Sequence, residues 1–152
     1  MARYGTTPGM RPGDGSTAPA PVLSLVRAWA AGVLVLVVTE YTQMTLVYAP
    51  LVGPEGVGSF GAALALVHLP NLLCVALAAW AAARVHPEPW RELPVRHAAA
   101  ACAVPAAAQL LTLSLHWDRS GPSTLSFWMS TGVLLAGCAV GMLLEAWRAG
   151  RA

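Results

Sequence analysis

The sequence predicts an all-α membrane protein, a four-transmembrane-helix bundle of up-down-up-down topology, and three observations carry that prediction. Of the 152 residues, 57% are hydrophobic and only 11% are charged, where a soluble domain would be about a quarter charged. Too little polar surface remains to cover a water-facing globule, which excludes a soluble enzyme or a nucleic-acid-binding module. The apolar residues gather into four runs, about 28–48, 60–83, 98–115 and 125–144, close to the roughly 20 residues that cross a hydrocarbon core. The connections between them are short and carry Pro and Gly, so sequence neighbours are antiparallel. A net charge of +2 is too small to imply a polyanionic partner. Lys and Ile are absent and Asn71 is the single Asn, beside abundant Ala, Gly, Pro and Arg, as expected of a GC-rich, bacterial coding sequence.

Residues 1–22 hold four Gly and four Pro among scattered Ser and Thr, and are expected to be a disordered cytoplasmic tail. The transmembrane domain then occupies 23–148, with 149–152 as a short cytoplasmic tail. The first run reads as an uncleaved signal-anchor: its apolar stretch is long, it contains Glu40, and Pro50 follows Ala49, the best cleavage residue. The second run opens on Gly56-Val57-Gly58-Ser59-Phe60-Gly61. This matches Gly-x-Gly-x-x-Gly without the preceding strand that dinucleotide binding requires, and is assigned to turn flexibility. The third run is short and Ala-rich and contains Pro105. The fourth carries Gly137 and Gly141, a spacing that admits another backbone closely and is assigned to helix packing, chiefly within the monomer. Backbone groups in lipid must be satisfied within each segment, so all four runs are expected to be helical.

Arginine placement predicts the orientation, because short cytoplasmic loops keep positive charge. Arg3, Arg11, Arg27, Arg84, Arg91, Arg96, Arg148 and Arg151 fall on one side of the spans and Arg119 alone on the other. Both termini are therefore expected in the cytoplasm of a bacterial inner-membrane protein. Trp29, Trp80, Trp90 and Trp147 near one boundary, and Tyr48, Phe60, Trp117 and Trp128 near the other, form two interfacial belts.

The candidate intramembrane polar site is Glu40, Gln43, His68, Asn71 and Gln109. An acidic residue at a helix centre costs roughly 3 kcal/mol on insertion scales, so Glu40 must be paired, neutralised or beside water. Two registers are open: Glu40 deep in the outer half, or near the outer headgroups with Arg27 snorkelling inward. In the deep register, Glu40 and His68 match in depth. Glu40 and Gln43, His68 and Asn71, and Gln109 and Thr112 share faces at three-residue spacing, as do Ser126 and Ser130 at four. Such a group can exchange a proton, bind a cation or hold a polar ligand. The plainer reading is favoured: Glu40 bonds His68 and the remaining side chains join helices, at about 0.6 kcal/mol each.

Cys74, Cys102 and Cys138 occur once in each of the last three runs. An odd count without Cys-x-x-Cys argues against disulfides, a metal site or thiol catalysis. No metal or cofactor is predicted, and no P-loop, His-Glu-x-x-His or Gly-x-Ser-x-Gly is present. His116, Asp118 and Arg119 read as a solvated outer loop, and the segment from Arg84 to His97 as an interfacial anchor around Trp90. In hydropathy alone, four spans with an acid in the first is similar to the small multidrug resistance transporters. Their local motifs around Glu40 are absent, and no residue role is carried across. The leading expectation is a non-enzymatic structural or partner-binding membrane protein, an accessory subunit. The alternative is a small proton- or cation-coupled transporter using the Glu/His site. The predicted partner is the lipid bilayer, with a membrane-protein partner or a second copy of the chain as further candidates.

Overall fold

A computed structural model describes residues 21–52, 56–86, 94–117 and 124–151. Residues 1–20 of the predicted N-terminal tail, the Trp90 loop and the Asp118 and Arg119 pair lie outside the described residues, whereas Pro21 and Val22, placed in that tail by the sequence, are helical. The described residues form a bundle of four long helices, α1 (Val22–Leu51), α2 (Phe60–Val85), α3 (Pro94–Leu115) and α4 (Leu125–Ala149), each long and apolar enough to cross a membrane. At 1.5 Å per residue, the 22 residues of α3 span about 33 Å and the 30 of α1 about 45 Å. The helices overrun the apolar runs. α1 begins before Ala28 and passes Tyr48, and α3 begins at Pro94, because intrahelical hydrogen bonding does not stop where hydropathy falls. Two helix starts are capped by side chains: Ser59 Oγ accepts from the Ala62 N–H at 3.2 Å, and Thr124 Oγ1 from the Phe127 N–H at 3.3 Å.

Two π turns interrupt the α-helical winding, Met44–Tyr48 in α1 and Leu64–His68 in α2. Each ends two residues before a proline, Pro50 and Pro70. Proline has no N–H, and its ring collides with the carbonyl four residues back. A wider turn relieves that collision, and the N–H groups of Ala49 and Leu69 bond five residues back, to Met44 and Leu64. Thr39, Thr42 and Thr45 satisfy their hydroxyls on carbonyls of the preceding turn at 2.7–2.9 Å, so they add no unpaired polar group to an apolar span.

Packing follows the logic of a membrane bundle, with small residues inside and large aliphatic ones outside. Ala28, Ala78, Ala79, Ala82, Ala83, Ala100 and Ala101 are fully buried, whereas Leu34, Leu110, Leu135 and Leu143 are about two-thirds exposed. On α1 the inward row is Ser24, Ala28, Gly32 and Leu36, every fourth residue, which is one ridge of the helix. Glu40 continues that ridge. α2 is the hub: it packs most extensively against α4 and α1 and also against α3, while α3 touches both flanking helices. Around the bundle the order is therefore α1, α2, α4, α3. Its largest interface joins α2 and α4, which run in the same direction. Trp29 Nε1 ties α1 to α3 by donating to the Ala99 carbonyl at 3.3 Å.

Candidate polar site between the helices

α1 and α2 bring Glu40, His68 and Asn71 together with Gln109 and Thr112 of α3 and Ser126 and Ser130 of α4, around one cavity of about 240 Å³. Leu36, Val75, Pro105 and Leu134 are among the apolar residues of its wall. The cavity lies toward the end of the bundle away from Val22 and Ala149, since its lining residues fall late in α1 and α3 and early in α2 and α4. α3 is barely longer than a hydrocarbon core of about 30 Å. A bilayer matched to α3 therefore encloses Gln109, six residues or about 9 Å from the Leu115 end. Glu40 lines the same cavity as Gln109.

The five predicted residues divide by their bonding. Gln109 Nε2 donates to Ser130 Oγ at 2.9 Å, and Ser130 Oγ donates to the Phe127 carbonyl at 3.1 Å. Gln109 thus lines the cavity while joining α3 to α4. Gln43 lies outside this cavity. Its Oε1 accepts from the Cys74 thiol at 3.3 Å, joining α1 to α2. Glu40, His68 and Asn71 form neither hydrogen bonds nor ion pairs among the described residues. The alternative in which Glu40 simply bonds His68 is not realised: the two face one cavity from neighbouring helices without closing on each other.

Two further openings meet this cavity. Glu40, Val67 and Asn71 also border a groove of about 520 Å³ on the α1–α2 face, with Tyr41, Gln43, Met44 and Tyr48. His68 and Val133 border an apolar groove of about 360 Å³ with Leu64, Leu69 and Leu72. Glu40 itself is exposed, so it meets the cavity and the open groove at once. The π turn at Leu64–His68 ends on His68, so Pro70 helps set where that imidazole stands.

A second polar region was not apparent from hydropathy. At the end where α1 begins and α4 ends, Ser24 and His86 are fully buried and Glu145 is 5% exposed. The His86 and His97 rings lie 5.9 Å apart at 47°. The signal for Glu145 is the four-residue stripe Val133, Gly137, Gly141, Glu145, all of it buried. Hydropathy placed Glu145 just past a span end, and no periodicity marked His86. Comparison of the chain with protein-family models, with curated proteins and with solved structures yields no match.

Proposed function

We propose that the protein is a small carrier that takes a proton or a small cationic solute into the polar cavity, with Glu40 as the charge-bearing group and His68 and Asn71 completing the site. One observation supports this reading over an accessory role: Glu40, His68 and Asn71 line the same cavity and bond to nothing else among the described residues. Polar groups held only for adhesion would be spent on partners, as Gln43 and Gln109 are. An intramembrane carboxyl that faces an open cavity can instead gain and lose charge as a ligand arrives and leaves. The arginine distribution supports a bacterial inner-membrane location with both termini cytoplasmic, the cavity then opening away from the cytoplasm.

The test is flux in proteoliposomes that enclose a pH-sensitive dye, under an imposed proton or cation gradient. Glu40→Gln and His68→Ala are expected to abolish protein-dependent flux while leaving helicity unchanged. Absence of flux in the unmodified protein, or flux indifferent to both substitutions, rejects the carrier reading. An accessory-subunit role is the second reading, favoured by the exposure of Glu40 beside Tyr41, Met44 and Tyr48 on the open α1–α2 face. Under it, Glu40→Gln would weaken recovery of a partner membrane helix and no flux would be seen.

A further inference from the structure

At the end where α1 begins and α4 ends, the α2–α4 seam opens to the outside of the bundle as a groove of about 230 Å³. Leu77 and Trp80 of α2 line it with Leu144, Trp147 and Arg148 of α4. It shares no residue with the polar cavity. The groove is polarised along the helix axes. α2 and α4 both run toward this end, so Leu77, eight residues or about 12 Å before Val85, and Leu144, five residues or about 8 Å before Ala149, form its deep part, whereas Arg148 stands at the helix end. Trp80 and Trp147, two of the side chains that the sequence assigns to an interfacial belt, lie between.

Two guanidinium groups attend the mouth. Arg148 Cζ lies 5.9 Å from the Trp80 ring centroid, a cation–π contact across the seam, and Arg151 Cζ lies 3.6 Å from the Trp147 ring centroid. The indoles position both cations, and among the described residues neither arginine forms an ion pair. No residue lining the groove is acidic. The carbonyl ends of α2 and α4 carry partial negative charge, so any attraction for an anion here comes from the arginines. A guanidinium matches a phosphate through two parallel N–H bonds.

We propose that this groove binds one anionic phospholipid, its phosphate and charged headgroup on Arg148 and Arg151 and the first part of an acyl chain along Leu77 and Leu144. Charge complementarity selects this occupant. Two cations at the helix ends above an apolar slot match a molecule that is anionic at one end and apolar at the other, and basic pockets between transmembrane helices hold such headgroups. A zwitterionic lipid fills the slot but brings no net charge to the arginines. The site does not depend on Glu40 or His68 acting in transport.

Native mass spectrometry of the full-length protein in detergent, with phosphatidylglycerol and phosphatidylcholine of equal chain length added in equal amounts, tests this. One phosphatidylglycerol per chain is expected to be retained over phosphatidylcholine by about 25-fold, about 5-fold for each arginine. Arg148→Gln and Arg151→Gln should each lower that preference about 5-fold, and the double substitution should abolish it. Arg27→Gln removes the same charge from α1 at the same end and should leave the preference unchanged, which separates a site from diffuse attraction to a basic surface. Leu77→Trp, which fills the apolar slot, should lower retention of both lipids. All four substituted residues are exposed, so helicity by circular dichroism should be unaltered. No preference for phosphatidylglycerol in the unmodified protein, a preference that survives the double arginine substitution or falls equally in Arg27→Gln, or retention indifferent to Leu77→Trp would each overturn the proposal.

Discussion

Gly141 meets Ala76 backbone to backbone: a Cβ placed on Gly141 would stand 2.6 Å from the Ala76 carbonyl oxygen and 2.9 Å from the Trp80 nitrogen. One turn earlier, a Cβ on Gly137 would stand 2.6 Å from Val75 Cγ1 and 3.1 Å from the Leu72 carbonyl oxygen. Neither collision is relieved by a side-chain rotation alone, because backbone lies in both. The close approach of α2 and α4 is therefore built on two residues without side chains. In hydrocarbon, where no hydrophobic force draws helices together, that proximity is what their dispersion contacts need.

Gly141→Val is expected to separate α2 from α4 and to cost about 1–3 kcal/mol, the usual range for overpacking. Gly137→Val should behave alike. Gly132→Ala is the control, because a Cβ there meets nothing within 4 Å, and the helix should gain about 0.5–1 kcal/mol or hold level. Thermal unfolding in a single detergent, followed by circular dichroism, ranks the three. Equal stability of Gly141→Val and Gly132→Ala would contradict the assigned interface.

The Gln109 to Ser130 bond is expected to contribute modestly. A double-mutant cycle with Gln109→Ala and Ser130→Ala should return a coupling of about 0.6 kcal/mol, the average for interhelical hydrogen bonds in membranes. The small value has a physical reason, since both groups find other partners when the helices separate. Coupling near zero would mean that the two side chains do not bond in the membrane.

Pro70 is expected to matter through His68. Pro70→Ala removes the ring that would collide with the Leu66 carbonyl in a regular α turn, so the π turn at Leu64–His68 can close to an α turn. Overall helicity and stability should not fall. The imidazole, however, should swing relative to Asn71, and any His68-dependent flux or binding should fall as it does in His68→Ala. Retention of full flux in Pro70→Ala would separate the π turn from the site.

Topology is directly measurable. Reporters fused after residue 90 and at the C-terminus should be active only as cytoplasmic reporters, and those inserted at residues 55 and 120 only as exported ones. The reverse pattern would overturn the orientation drawn from the arginines.

Much of the architecture was legible because lipid imposes few solutions. Four apolar runs separated by Pro and Gly must be helices, and short links must make neighbours antiparallel. The site was legible in part. Glu40 and His68 were recognisable as polar residues at matched depth, and Asn71 and Gln109 as polar residues of the other spans; all four line one cavity. Gln43 shares a helical face with Glu40 by spacing but reaches Cys74 instead. Periodicity places a residue on a face and cannot say which neighbour that face meets.

The number of spans, their helical state and the few polar residues inside them follow from the chain alone, because each rests on the local balance of apolar surface and backbone hydrogen bonding. Which helices touch is a matter of packing. Packing paired α2 with α4 through Gly137 and Gly141, left Glu40 and His68 facing a cavity without bonding each other, and drew Cys102 to Met142 across 40 residues of chain. Those outcomes depend on how small and large side chains interlock between helices, and that complementarity is a property of pairs of surfaces, which no single stretch of chain contains.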